Sequence, residues 1–337
     1  MKIKRLLAIA LAAGALVACT AGGRGGGTTP EGAAVADAPS AADAFSADTA
    51  YALVAAQTAM GPRTPGSEGH ARCVAWMSAR LRAAGADTVV QQRGSMQRWD
   101  GEELPVCNVL ASFNAGAPKR ILLAAHYDTR PWADMEPDAT RRAQPIPGAN
   151  DGASGVAVLL EIARCLGEHP ANIGVDILMA DAEDCGHSDE VGPGVAAGPH
   201  TWCLGTQMWA ASQPYAGRTA PSYAILLDMV GGAGARFHRE QFSDAAAARI
   251  VDKVWAEAAS LGYADTFVNS TGGAVVDDHV YISRAGIPAI DIIESMSPAT
   301  GTFPPTWHTH ADNLDNIDRR SLERAGKTVL SLIYKEK

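Results

Sequence analysis

Cysteine is scarce in this sequence, and the most familiar zinc-binding motifs are absent. The chain of 337 residues has six cysteines, none of them in a CxxC pair, and it contains no HExxH segment. These absences argue against a zinc site made of thiolates and against one of the HExxH type. A disulfide between Cys185 and Cys203 would close the Gly-rich segment between them, but the sequence leaves that pairing open.

Clusters of basic residues are absent as well. The chain has 28 Lys and Arg against 37 Asp and Glu, which gives a formal net charge of −9. Proteins that bind nucleic acid use basic patches to neutralise phosphates. We therefore expect no nucleic-acid partner.

The first 19 residues have the pattern of an export signal. Basic residues precede an apolar stretch of roughly a dozen residues, which is too short to span a bilayer as a stable helix. Residues 16–19, Leu-Val-Ala-Cys, resemble a bacterial lipobox, in which the cysteine is lipidated. We expect an exported lipoprotein of the bacterial periplasm or outer membrane, attached to the membrane only through a lipid on Cys19. The alternative is an ordinary secretory peptide with an incidental cysteine.

The composition changes after this signal. Residues 20–44 are rich in Gly, Ala, Pro and Thr and hold no large apolar residue. Such a segment cannot bury enough surface to offset its ordering entropy, so it predicts a disordered linker. Residues 45–337 have an even composition without a repeat or a second linker, which predicts one catalytic domain.

Apolar patterns within this domain alternate between strand and helix. Short apolar runs predict buried strands at 120–126, 175–181, 223–231 and 287–293, and amphipathic patterns predict helices at 67–86, 151–169, from Ser243 onward, and at 318–334. Strands that are apolar throughout have helices on both faces, and connections of this length make them parallel. In such an α/β fold, ligands bind beyond the carboxyl ends of the strands.

Polar residues with metal-binding chemistry follow the predicted strands. Five of them are candidate ligands: His126, Asp151, Asp184, Asp228 and His308. Imidazole and carboxylate ligands suit Zn²⁺. Asp128, two positions beyond His126 on an extended segment, is placed to fix the tautomer of that imidazole.

Each candidate ligand also has a simpler explanation. A histidine at a strand end is commonly structural, Asp151 could cap the helix that follows it, and residues 181–184 could form a solvated loop. Asp228 is harder to explain without a partner, because it lies at a buried strand. Since all five candidates lie at the same predicted edge of the sheet, we favour a metal site.

Six segments, in order along the chain, carry a resemblance to a known family: GPRTPGSEGH, AAHYDTRP, GANDGASGV, DAEDCG, LLDMVG and WHTHADN. They resemble the zinc aminopeptidase superfamily with co-catalytic metals and, within it, the bacterial glutaminyl cyclases. The likeness extends from about residue 45 to the end. It implies a single three-layer domain with a central mixed, mostly parallel sheet and helices on both faces.

The resemblance also implies the metal ligands. One Zn²⁺ would be held by Asp151, Asp184 and His308. His126 and Asp128 would lie next to these ligands without binding that ion. A second ion, bound through His126 and Asp228, is the alternative.

The remaining roles are likewise implied by the resemblance. Glu183, Asp228 and Asp277 would be the catalytic carboxyl groups, with Glu183 as the proton carrier. Phe303 and Trp307 would form the wall of the substrate pocket. From its place in the strand, and not from the resemblance, we expect Asp181 to pair with backbone groups or with a basic side chain; a catalytic role is the alternative.

The implied activity is conversion of the N-terminal Gln of peptides or proteins to pyroglutamate, with release of ammonia. An aminopeptidase with two zinc ions and a catalytically silent zinc-binding lipoprotein are the alternatives.

The sequence departs from the animal cyclases at three places. Asp184 replaces a glutamate, Asp291 replaces a histidine, and residues 185–200 offer no clear match for a tryptophan that follows the acidic pair of those enzymes.

Overall fold

The structure of the protein is a computed structural model that describes residues 41–188, 199–215 and 219–337. The predicted export signal, Cys19 and most of the predicted linker lie outside these residues. The last part of that linker, Ala41–Ala44, forms a short 3₁₀-helix, and Phe45 beside it is buried. Within the described ranges, no helix is long and apolar enough to cross a membrane.

Eight strands and seven α-helices are found in the described residues. The strands are β1 (Thr88–Gln97), β2 (Glu103–Phe113), β3 (Arg120–His126), β4 (Gly174–Ala180), β5 (Ala224–Leu227), β6 (Phe237–Arg239), β7 (Phe267–Thr271) and β8 (Ala289–Ile292). The helices are α1 (Ala47–Thr58), α2 (Glu68–Ala83), α3 (Ala153–Glu168), α4 (Leu204–Ala211), α5 (Gln241–Ser260), α6 (Asp278–Arg284) and α7 (Arg319–Lys335).

Six strands form one sheet in the order β1-β2-β4-β3-β5-β8. The pairs β4–β3, β3–β5 and β5–β8 are parallel, whereas β1–β2 and β2–β4 are antiparallel. The expected mixed, mostly parallel sheet is therefore confirmed. The two remaining strands, β6 and β7, form a small parallel ladder of their own.

Helices cover both faces of the large sheet, as the apolar character of its inner strands predicted. All residues of β3 and β4 are buried, and successive residues face opposite layers. Leu123 of β3 packs in a core shared with α1, α2, α3, α5 and α7, whereas its neighbour Leu122 packs against residues of α4 and α6. The three-layer architecture follows from this alternation, because every second side chain of a strand points to the same face.

Most predicted helix ends agree with the structure. Ser67 caps α2 by accepting the backbone N–H of His70, and Gly85 follows the helix with a φ of 85°. The prediction that Ser243 opens a helix was wrong, because Glu240 caps α5 and Ser243 lies in its first turn. Asp151 does not cap α3 either, since the N-cap residue of this helix is Gly152.

Candidate active site

The carboxyl ends of the parallel strands bring the predicted site residues together. His126 is the last residue of β3, residues 181–184 follow β4, and Asp228 directly follows β5. The loop between β3 and α3 contributes Asp151, and the loop before α7 contributes His308. Side chains that are up to 182 positions apart in the sequence thus meet at one edge of the sheet.

Asp151, Asp184 and His308 form a compact and buried group. Their ligand atoms all lie within 4.8 Å of one another, with His308 Nε2 at 3.1 Å from Asp184 Oδ1 and 3.7 Å from Asp151 Oδ2. Asp184 Oδ2 is buried and has no hydrogen-bond donor among the described residues. Two carboxylates and an imidazole, with one buried carboxylate oxygen left without a partner, fit a zinc ion well.

The buried ion pair of Asp134 and Arg130 supports the imidazole of His308 at its Nδ1 atom. Asp134 Oδ1 lies 3.0 Å from His308 Nδ1, and both Asp134 oxygens accept hydrogen bonds from Arg130 at 2.9 and 2.7 Å. Burial alone would raise the pKa of Asp134, but the hydrogen bonds from His308 and Arg130 outweigh it and lower that pKa. Arg130 also donates to the backbone oxygen of Asp184. Sequence reasoning missed both residues, although each lies within eight positions of His126.

Asp151 belongs to a second group as well. His126 Nε2 lies 3.1 Å from Asp151 Oδ1 and 3.1 Å from Asp228 Oδ1. The other ring nitrogen, Nδ1, lies 3.4 Å from Asp128 Oδ1, as the spacing of the two residues predicted. Asp128 additionally accepts the backbone N–H groups of Glu183 and Asp184. It therefore positions the acidic turn together with the imidazole.

Glu183 lies outside the group of three ligands and forms a group with Cys203 and Asp277. Its Oε1 accepts a hydrogen bond from the thiol of Cys203 at 3.3 Å, and the side chain of Asp277 lies close by. Burial and the charge of Asp277 raise the pKa of Glu183 well above its ordinary value. Burial and the charge of Asp228 likewise raise the pKa of Asp277 to about 7. Glu183 is therefore a carboxyl group that can hold a proton.

The neighbouring Asp291 lies inside β8, within the strand predicted at 287–293, and it is fully buried. One of its oxygens is 3.8 Å from Nδ1 of His279. Burial and the charge of Asp277 raise the pKa of Asp291 well above its ordinary value.

A cavity of about 450 Å³ opens in front of these groups. It is lined by the carboxyl groups of Asp151, Glu183, Asp184, Asp228 and Asp277 and by aromatic side chains. Trp307 stacks on His308 with the ring centres 3.6 Å apart, and Phe303 packs on Trp307 at 4.5 Å. Trp202 also lines the cavity and lies under the guanidinium group of Arg130. Sequence reasoning missed Trp202, which lies just beyond the segment 185–200 that follows the acidic pair.

Two further buried carboxyl groups fix the two turns that carry Asp151 and Asp184. Asp312 accepts the backbone N–H groups of Asn150 and Asp151 at 2.7 and 3.1 Å. Asp181 accepts the N–H groups of Cys107 and Ala182, and it also bonds His70. Asp181 thus pairs with backbone groups as expected, although its side-chain partner is a histidine.

The cysteines of the described residues are unpaired. Cys73, Cys107, Cys165, Cys185 and Cys203 are all free and buried. The open question of a Cys185–Cys203 disulfide is therefore answered in favour of two thiols, one of which contacts Glu183.

Comparison with known proteins agrees with this geometry. The model of peptidase family M28 matches residues 108–333. A glutaminyl cyclase from Bacteroides thetaiotaomicron, solved with N-acetylhistamine bound, is 44% identical, with a TM-score of 0.84 over 87% of this chain and 99% of that one. A Zn-dependent exopeptidase from Parabacteroides distasonis is 46% identical, with a TM-score of 0.82 over the same shares.

Curated relatives are more distant. The glutaminyl-peptide cyclotransferase of Bos taurus is 22% identical over 288 residues, which cover 79% of this chain and 76% of that protein. The two solved structures, which are 44% and 46% identical to this chain, carry the names of two different activities.

Proposed function

The chain belongs to peptidase family M28, and we propose that it is a zinc-dependent glutaminyl-peptide cyclotransferase acting on peptides or proteins with an N-terminal Gln. The observation that carries this proposal is the carboxyl pair of Glu183 and Asp277, which lies in the same aromatic-walled cavity as the Asp151–Asp184–His308 group without belonging to it. The similarity to the Bacteroides thetaiotaomicron cyclase, over nearly all of that chain, supports it.

The cavity suits the chemistry of an N-terminal Gln. This residue presents an α-amine and a primary γ-amide, and both offer N–H donors to carboxyl oxygens. Asp228 and Asp277 line the cavity beside Glu183 and can accept these hydrogen bonds. Phe303 and Trp307 enclose the short side chain, exclude water and hold the α-nitrogen near the γ-carbonyl carbon.

Glu183 moves the proton. In the reaction, a bond forms between the α-nitrogen and the γ-carbonyl carbon, and the bond from that carbon to the amide nitrogen breaks. Glu183 accepts a proton from the α-nitrogen and returns it to the departing nitrogen, which leaves as ammonia. A carboxyl group whose pKa is raised by burial and by neighbouring charge suits this exchange near neutral pH.

Asp151, Asp184 and His308 would hold the zinc ion. When bound, the ion supplies a Lewis acid for the γ-carbonyl oxygen of the substrate. We propose a single ion, because Asp228 and His126 already satisfy one another through their hydrogen bond.

An aminopeptidase with two zinc ions is the second candidate. The group formed by His126, Asp151 and Asp228 favours it, since the ligand atoms of these residues also lie within 4.8 Å of one another. The name of the Parabacteroides distasonis relative points in the same direction.

One assay separates the two activities. Purified protein is incubated with Gln-peptides and with aminoacyl reporter substrates, while ammonia, free amino acid and bound zinc are quantified. The cyclotransferase releases ammonia without cleaving a residue and binds one zinc ion per chain. Release of free amino acids, with two ions bound, would move the assignment to the aminopeptidase.

Substitution of the proton carrier tests the mechanism within the same assay. Glu183→Gln is expected to retain zinc and lose turnover, while Asp184→Ala loses zinc. Glu168→Gln, on the exposed end of α3, is the matched control for the change from carboxylate to amide. Full activity of Glu183→Gln would refute the role assigned to that residue.

We further propose that the protein is exported to the bacterial periplasm or outer membrane and anchored by a lipid on Cys19. The support is the sequence of residues 1–19 alone. Metabolic labelling with a radioactive fatty acid should mark the full-length protein and not its Cys19→Ser variant. Equal labelling of the two proteins, or none, would contradict the anchor.

A further inference from the structure

A thiol and two carboxyl groups form a separate set of potential ligands beside the catalytic group. We propose that Glu183, Cys203 and Asp277 make an inhibitory binding site for a borderline or soft divalent cation, such as Zn²⁺ in excess or Cd²⁺. The inhibition, though not the binding, depends on the proposed role of Glu183 as proton carrier.

The geometry of these three residues fits a small ion. One atom from each of them can be chosen so that all three atoms lie within 4.8 Å of one another. Cys203 Sγ and Glu183 Oε1 are only 3.3 Å apart. Tetrahedral zinc places its sulfur ligands at about 2.3 Å and its oxygen ligands at about 2.0–2.2 Å, so neighbouring ligand atoms must approach one another this closely.

One carboxyl oxygen of Asp277 is suited to binding a cation. Asp277 Oδ2 is buried and receives no N–H or hydroxyl hydrogen bond from the described residues, although the carboxyl groups of Asp277 and Asp291 share a hydrogen bond; the whole residue is 3% exposed. The next residue, Asp278, is also buried, and Thr206 forms a hydrogen bond with its carboxyl group. A buried carboxyl oxygen without such a donor is costly, and a bound cation would satisfy Asp277 Oδ2.

The thiol distinguishes this site from the catalytic group. Asp151, Asp184 and His308 offer only oxygen and nitrogen, whereas Cys203 offers sulfur, which soft cations prefer. Binding displaces the thiol proton to solvent and leaves a thiolate on the ion. The ion can enter through the cavity, because Glu183 and Asp277 both line it. Once bound, it occupies the oxygen atoms that Glu183 needs for proton transfer.

The test uses the ultraviolet charge-transfer band of a Cd²⁺–thiolate bond. Protein loaded with one equivalent of zinc, in a Cys19→Ser background, is titrated with Cd²⁺ while absorbance and turnover of a Gln-peptide are followed. Cys203→Ser keeps a hydroxyl donor for Glu183 but removes the sulfur. Cys185→Ser is the matched control, since Cys185 is as deeply buried as Cys203 and lies outside the group of three.

Wild type and Cys185→Ser should both develop the band and lose turnover with about one added equivalent. Cys203→Ser should show no band, and its inhibition should need at least about tenfold more Cd²⁺. Absence of the band from wild type, or an equal band in Cys203→Ser, would overturn the site. If Cys203→Ser does not fold, ¹¹³Cd NMR of the wild type decides, because sulfur ligation shifts the resonance away from that of oxygen and nitrogen sites.

The two proposals fail in different ways. A band that depends on Cys203 while turnover continues would uphold the cation site and remove Glu183 from the reaction. Loss of turnover in Glu183→Gln together with no band in wild type would uphold the reaction and remove the cation site.

Discussion

Replacing Asp134 by Asn is expected to weaken zinc binding without touching a ligand. Asp134 Oδ1 lies 3.0 Å from Nδ1 of His308, and the carboxylate is fully engaged by Arg130. The substitution keeps the shape of the side chain but removes the charge that orients the imidazole and increases its basicity. Loss of such a supporting group typically costs 10–100-fold in metal affinity, or about 1.4–2.8 kcal/mol.

The measurement is a competition titration of zinc against a chromophoric chelator, carried out on wild type and Asp134→Asn. Asp138→Asn is the matched control, because Asp138 is exposed in the same loop and only caps a short 3₁₀-helix. Circular dichroism and thermal unfolding of the metal-free proteins report whether Arg130, left without its partner, has disturbed the fold. An unchanged zinc affinity in a folded Asp134→Asn protein would show that His308 does not depend on this contact.

Three further outcomes follow from other parts of the molecule. Asp312→Ala leaves two buried N–H groups without an acceptor, so urea unfolding should show a loss of about 1–3 kcal/mol, and an unchanged midpoint and slope would contradict this. Phe303→Ala removes one aromatic wall, so the KM for Gln-peptides should rise roughly 2–10-fold with zinc content unchanged, whereas a fall in kcat alone would contradict the assignment. Glu336 has its pKa lowered from 4.5 to about 2, because hydrogen bonds with Lys119, Lys253 and Tyr223 outweigh burial. Its stabilisation should therefore be present above about pH 4.5 and be lost as the pH falls towards 2; Glu336→Gln should flatten the acid limb of the stability curve, and an identical limb would refute this.

The parts of the fold that the sequence predicted are those with a strong apolar signal. The strand predicted at 120–126 is β3, residue for residue, because every position of it is buried and apolar apart from its ends. β1 was not predicted, since it lies at the edge of the sheet with no residue fully buried and with polar side chains over much of its length. β2, the next strand of the sheet, was also missed, although most of its residues are buried. Antiparallel edge strands of this kind have no continuous apolar run to reveal them.

The ligands were predictable for a similar reason. Each candidate ligand is a polar residue next to an apolar element, and parallel strands place such residues at one edge. The supporting residues carry no such signal. Arg130 and Asp134 lie in a loop, and the contact between Asp134 and His308 joins two loops that are far apart in the sequence. Trp202 and Glu183 both line the cavity. A long connection separates them in the sequence, so their sequence separation does not predict that they lie close together in space.

The choice between one metal ion and two depends on how His126 and Asp228 are used. Both groups of ligands share Asp151, so a one-ion and a two-ion site contain the same residue types. In a one-ion site, His126 Nε2 donates to Asp228 Oδ1, which fixes both side chains at 3.1 Å. In a two-ion site, the same two atoms must both turn their lone pairs to the metal, and their hydrogen bond is lost. Relatives that are 44% and 46% identical carry the names of the two activities, so overall similarity does not decide between them. Counting zinc ions per folded chain tests which of the two arrangements of His126 and Asp228 is present.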